Sequence, residues 1–136
     1  MHLLARREHS RQEMLNKLLL KGYAKDVILS VIEELAQRGI QSDSRYAESY
    51  ARQLIQKGYG PIHIAYELRK NGVDAINLDD LVLETAGSWM NLLELVYTKK
   101  FGHGSVPESN ERAKRSRFLI QRGFSGTMIS TFFDNF

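Results

Sequence analysis

Three glycines organise this chain. Gly22, Gly72 and Gly123 each separate two stretches of helical periodicity, in "LLLKGYAKDVILSVIEEL" from Leu18, "ELRKNGVDAINLDDLVLE" from Glu67 and "FLIQRGFSGTMISTFF" from Phe118. They lie fifty and fifty-one residues apart, which is the mark of an internal repeat. A glycine just past a helix adopts the left-handed backbone at little cost, so each reads as the end of one helix and the bend into the next. Each repeat should hold three helices, one long and then a hairpin of two, the first repeat having a short first helix. A unit this small buries little alone, so neighbours must stack. The expected fold is all-α: three tandem three-helix repeats (1–40, 41–87 and 88–136) in an elongated, curved array of either hand.

The apolar spacing agrees. Val27, Ile28, Val31, Ile32 and Leu35 recur at three and four residues, as do Tyr46, Tyr50, Leu54 and Ile55, and then Trp89, Leu92, Leu93, Val96 and Tyr97. No segment alternates with period two, so no sheet is expected. Further glycines at 39, 58, 102 and 104 adjoin periodic runs. Ser10 with Glu13 fits a capping box, Ser42 or Asp43 suits the start of another helix, and Pro61 suits a first turn, where its missing N–H costs nothing. The expected helices are 3–8, 10–21, 25–38, 43–57, 61–71, 77–87, 88–100, 108–122 and 125–134.

The chain has 136 residues, enough for a real core, and no cysteine, which excludes disulfides, thiol nucleophiles and thiolate zinc sites. No apolar run approaches the roughly 20 residues that span a bilayer, and the N-terminus is too polar for a signal peptide. A cytoplasmic protein is the expectation. The net charge of +3 is unevenly spread: +3 over residues 1–22, −4 over 23–98, +5 over 99–122 and −1 over 123–136. Basic ends flank an acidic middle. Solvated helix faces explain this plainly; partners with negative surfaces at the two ends are the sharper reading.

The stretch "QKGYGPIHIAYELRKNG", Gln56 to Gly72, tests whether the chain holds a nucleotide. A dinucleotide turn needs a preceding strand and a third glycine. Here the preceding segment is amphipathic helix, and His63 stands where that glycine belongs. No phosphate loop with Gly-Lys-Ser/Thr occurs. Gly58 therefore ends one helix and Pro61 begins the next. The histidines at 2, 9, 63 and 103 form no i, i+4 pair, so surface or capping roles are expected rather than metal ligation. Glu33–Glu34 and Asp79–Asp80 are sequence neighbours, which do not share a helix face. No catalytic constellation emerges, and no cofactor or metal is expected.

Helical wheels place cations opposite apolar arcs. On 43–57 the inward arc is Tyr46, Ala47, Tyr50, Ala51 and Leu54, with Arg45, Ser49, Arg52 and Gln56 outward. On 108–122 Ala113, Ser116, Leu119 and Ile120 should face in, and Lys114, Arg117 and Gln121 out, with Phe118 on the flank and packed against 125–134. Trp89 should anchor the core where the second and third repeats meet. Cations on stacked helices can follow a phosphate backbone by counterion release, with weak sequence dependence. No element has a recognisable base-reading geometry.

"LLARREHSRQEMLNKLLLKG", "SDSRYAESYARQLIQKGYGPIHIAYELRKNGV" and "RFLIQRGF" together resemble the RecX family, bacterial regulators of the RecA recombinase. The resemblance runs from about Leu3 to Phe133 and is most specific in the middle segment, with Trp89 and the closing Arg122–Phe124 adding to it. It implies tandem three-helix repeats. It also implies binding to the RecA–DNA filament, within its helical groove, and inhibition of strand exchange and of RecA's ATPase in recombination, repair and the SOS response, with no catalysis by this chain. Some family members also bind DNA directly. The recurring positions fall here on Asp43, Arg45, Tyr46, Tyr50, Gly58, Gly60, Pro61, Leu68, Arg69, Gly72, Arg117, Arg122, Gly123 and Phe124, most of them structural, as Gly22 and Trp89 also are. The candidates for contact with RecA or DNA are Arg45, Arg52, Arg69, Lys70, Lys114, Arg117 and Arg122. A monomer is expected, with the RecA filament as partner and single- and double-stranded DNA, without sequence specificity, as further ones; the alternative is a general non-sequence-specific DNA-binding helical protein. Three departures stand out: little chain precedes the first repeat, "GHGSVPE" makes a polar connector, and the acidic helix 77–87 should repel DNA and suits a basic protein surface instead.

Overall fold

Amphipathic runs of eight to fourteen residues, each stopped by glycine or a polar turn, leave the chain little choice but short packed helices. The computed structural model describes residues 7–74, 76–105 and 107–136. Among them are eight helices and no strand: α1 (Arg11–Leu20), α2 (Lys25–Gln37), α3 (Asp43–Gln56), α4 (Pro61–Lys70), α5 (Leu78–Thr85), α6 (Trp89–Phe101), α7 (Ser109–Gln121) and α8 (Gly126–Asp134). Their ends match the sequence expectations to within two residues. The helix expected at 3–8 falls mainly outside the described residues, and Arg7 and Glu8 are not helical. Gly87, absent from the expected breaks, takes φ 86° and separates α5 from α6.

The chain forms two compact units, Met1–Tyr50 with Glu67–Ile76, and Ala51–Tyr66 with Asn77–Phe136. In the first, Met14, Ile28 and Ile32 make a buried cluster lined by Leu15, Leu18 and Leu35. Val27, expected on that inward face, is 54% exposed. Its place on α2 lies at the edge of the apolar arc. In the second unit Leu92, Leu93, Tyr97, Leu119, Phe124, Ile129 and Phe133 are buried.

α1 starts as its sequence indicates. The Ser10 hydroxyl accepts from the Glu13 amide, and the Glu13 carboxylate accepts from the Ser10 amide. The Arg11 amide, another donor that a helix start leaves free, is taken by the Asp43 carboxylate at 2.8 Å. Gln41 steadies that carboxylate at 2.9 Å and also donates to the His9 carbonyl. His9 itself is buried, contrary to the surface or capping role expected. Its ring nitrogens lie 3.2 Å from the Arg7 carbonyl and 3.0 Å from the Lys17 ammonium. The ammonium can only donate, so Nε2 accepts and Nδ1–H donates to the carbonyl. Burial first, then the neighbouring cations, push the imidazole pKa down. Lone histidines carry no periodic signal, and nothing in "REHS" marked this one as interior.

α4 starts differently. Its cap is Gly60, which has no side chain to offer. The turn after α7 takes that role: Gly60 N–H donates to the Arg122 carbonyl at 2.7 Å, and Ile62 N–H to the Gly123 carbonyl at 3.0 Å. Pro61 has no donor, so the carbonyls of one turn satisfy both free N–H groups flanking it. The approach is close. A Cβ on Gly60 would lie 2.6 Å from the Gly123 carbonyl carbon. Gly58 and Gly60 thus differ in purpose. Gly58 turns the chain at φ 89°, whereas Gly60 lets another backbone in.

Candidate interaction surface

Seven cations were candidates from the sequence, and the structure puts them in three environments. Arg45 is committed within its unit: Nε meets Glu8 at 2.9 Å and Nη2 donates to the Ile40 carbonyl at 3.0 Å. Arg52 reaches Glu84 at 3.4 Å, and Lys70 reaches Glu67 at 3.9 Å. These are exposed pairs, and such pairs stabilise little. Arg69, Lys114 and Arg117 are exposed and have no acidic partner among the described residues. Arg122 is half-buried. Its Nη1 donates to the Lys57 carbonyl at 2.9 Å, and its guanidinium covers the rings of Tyr59 at 5.0 Å and Phe118 at 5.4 Å. It therefore ties the turn after α7 to the turn before α4, besides offering charge.

The structural candidates divide in the same way. Tyr46 is buried, its hydroxyl accepting from Asn71 at 2.6 Å, and burial pushes its pKa up to about 12. Tyr50 donates to Glu67 at 3.2 Å and lies 5.7 Å from the Tyr46 ring. Phe124 is buried beyond Gly123. Trp89 is half-buried rather than a core anchor, its indole N–H donating to Asp79 at 2.9 Å. An indole at a helix start, beside an acidic helix, finds its partner at the surface.

α7 departs most from its helical wheel. Leu119 is buried, but Ala113 and Ile120 are exposed. Phe118 packs edge-on to Phe101 of α6 at 5.5 Å. The cations that turn inward are ones the wheel did not single out. Arg115 donates to the Tyr97 hydroxyl at 2.7 Å and to Glu111 at 3.1 Å, and covers the Phe101 ring at 4.8 Å. Arg112 covers Phe133 at 4.8 Å. Around Tyr97 stand Phe101, Phe132, Phe133 and Phe136, at 4.8 to 5.7 Å between ring centres. The signal was available: all six phenylalanines of the chain lie at or after position 101. Such a store of rings accepts arginines on its faces.

A cleft of about 350 Å³ opens beside Arg122. Gln56, Lys57 and Gly58 form one wall, Leu92, Leu95, Val96, Lys99 and Lys100 of α6 another, and Phe118 and Arg122 close it. Lys57, Lys99 and Lys100 were not candidates from the sequence. They come from the end of α3 and the last turn of α6, which only folding brings together. No group of three or more His, Asp or Glu among the described residues could hold a metal ion, and no helix there is long and apolar enough to cross a membrane.

Comparison with known proteins gives a consistent answer. The first three-helix domain of RecX matches residues 1–35, the second 42–80 and the third 90–133. The chain is 41% identical to "Regulatory protein RecX" of Pseudomonas fluorescens (strain SBW25), over 96% of this chain and 84% of that one. It is 33% identical to the protein of the same name from Halorhodospira halophila, over 95% and 80%. The crystal structure of RecX from Lactobacillus salivarius superposes with a TM-score of 0.70 at 27% identity, covering 98% of this chain and 89% of that one.

Proposed function

This chain belongs to the RecX family, and we propose that it binds the RecA–DNA filament and restrains the recombinase and its ATPase in recombination, repair and the SOS response, by contact and not by catalysis. The observation that carries this reading is a set of cations, on α4, α7 and around one cleft, that have no acidic partners among the described residues. Arg69, Lys114 and Arg117 stand in solvent, and Lys57, Lys99, Lys100 and Arg122 line one cleft. Charges so placed serve a negatively charged partner better than they serve the fold. The test adds the purified chain to preformed RecA filaments on single-stranded DNA and follows ATP hydrolysis. Slower hydrolysis is expected, saturating with added protein; an unchanged rate at saturation would overturn the reading.

The same cations suit the second reading, a general DNA-binding protein in the cytoplasm. Lys114 and Arg117, three residues apart on one exposed helix face, are the pair that favours it. Its sign is tight binding to naked DNA that falls steeply with salt. Filament binding without naked-DNA binding rules it out.

A further inference from the structure

The cleft at Arg122 combines two kinds of surface that seldom meet by accident. Four cations line it: Lys57, Lys99, Lys100 and Arg122. None of these four has an acidic partner among the described residues, and no carboxylate lines the cleft. Glu94, the nearest acid on α6, lines other cavities on that helix. The floor is aliphatic: Leu92 is buried, Val96 half-buried, and Leu95 61% exposed with nothing over it. Arg122 is already fixed by the Lys57 carbonyl and two rings, while four of its five donors remain free of that bond. A cation held in place before binding loses little freedom when it binds.

Single-stranded nucleic acid fits the charge but not the rest. Such sites present open aromatic faces on which bases stack. Here the Phe118 ring is flanked by Phe101, Lys100 and Arg122. Tyr59 is stacked on His63 at 4.3 Å and covered by Arg122. Both rings beside the cleft are already engaged by neighbours, and an aliphatic floor has nothing to offer a sugar–phosphate backbone. Carboxylates around one apolar side chain match both surfaces together.

We infer that this cleft is a docking site for an acidic polypeptide segment of a partner protein, its carboxylates on Lys57, Lys99, Lys100 and Arg122 and one apolar side chain on Leu92, Leu95 and Val96. This deepens the reading that the chain acts on a protein partner, and rests on it. The rim supplies steering and the anchor supplies residence, the usual division at protein interfaces.

The test uses the full chain and a fluorescein-labelled peptide of alternating Asp and Glu with one central Leu, followed by anisotropy. The controls are the same peptide with Ser in place of Leu, and an oligothymidylate of equal charge. The expected results are saturable binding of the Leu peptide, a loss of about tenfold or more for the Ser peptide, and a similar loss for the Lys99→Glu/Lys100→Glu and Leu95→Ser variants. All three substituted side chains are exposed, so the variants should keep wild-type circular dichroism. Equal binding of the Leu and Ser peptides, indifference to both variants, or oligothymidylate displacing the peptide at lower concentration would overturn the inference. The filament assay separates the two readings. Slowed ATP hydrolysis without peptide binding sinks the cleft alone, and peptide binding without any effect on filaments sinks the filament reading.

Discussion

Gly123 closes onto His63. A Cβ on Gly123 would strike the His63 Cβ and lie 2.6 Å from its amide nitrogen, while Gly123 itself holds φ 100°. The same relation recurs earlier in the chain, where a Cβ on Gly72 would meet the Gln12 Cβ at 2.6 Å. Gly22, the third hairpin glycine, has the same kind of backbone, φ 93°, and nothing within 4 Å. Alanine at 22 should therefore cost only the left-handed backbone, about 1–2 kcal/mol. Alanine at 123 should cost about 1–3 kcal/mol more, because a packed backbone must also move. Urea unfolding followed by circular dichroism checks the difference, and equal losses at 22 and 123 would show that the close approach is unimportant.

Tyr97 separates ring packing from its polar end. It is 2% exposed, and its hydroxyl accepts from Arg115. Tyr97→Phe keeps the rings and leaves Arg115 its bond to Glu111, so a loss of about 0.5–1.5 kcal/mol is expected. Tyr97→Ala empties the centre of the aromatic cluster and should cost about 3–5 kcal/mol. Thermal melts of the two variants give the ratio.

His9 makes stability depend on pH. Its folded pKa lies below the unfolded value of ~6.5, so the unfolded chain binds the extra proton first. The contribution is fully present above ~6.5 and is lost as pH falls through that value toward the folded pKa. Protonation would also set a cation 3.0 Å from the Lys17 ammonium. Urea midpoints between neutral and mildly acidic pH should fall in the wild type and flatten in His9→Gln. An identical slope in the variant would assign the pH dependence elsewhere.

Charge reversal distinguishes committed cations from free ones. Lys114→Glu with Arg117→Glu should leave stability within about 0.5 kcal/mol and weaken binding to the filament. Arg45→Glu sets a carboxylate beside Glu8 and should lower stability by about 0.2–1 kcal/mol, the worth of an exposed pair. Arg45→Glu with Arg52→Glu should weaken filament binding while helicity persists. Co-sedimentation with filaments, read beside circular dichroism, tests both pairs, and full retention by either would remove that face from the contact.

What could be read from the sequence follows from what periodicity encodes. The 3.6-residue period and the glycine stops report where helices lie and which arc is apolar, and α3 shows this well, with Tyr46, Ala47, Ala51 and Leu54 all buried. Periodicity does not report which neighbour an arc meets. On α7, where apolar residues are few, it put Ile120 inside and passed over Arg115, whose partners Tyr97 and Phe101 lie on another helix. The glycines at 58 and 60 looked alike as letters. Only the carbonyls of Arg122 and Gly123 reveal that one is a turn and the other a gap for a second backbone. Lys57, Lys99 and Lys100 share a cleft through packing of segments some forty residues apart, which no local pattern records.

Gln12 and Gly72 are sixty residues apart, and so are His63 and Gly123. Equal offsets make each junction a gauge of chain length. Between His63 and Gly123 the described residues outside helices include 71–74 and 102–105, where length can vary without disturbing what the helices bury. Extra residues spliced into the second of these would loop outward and leave the gauge reading true. One residue added within α7 would turn every side chain beyond it by about 100° and carry Gly123 off its seat.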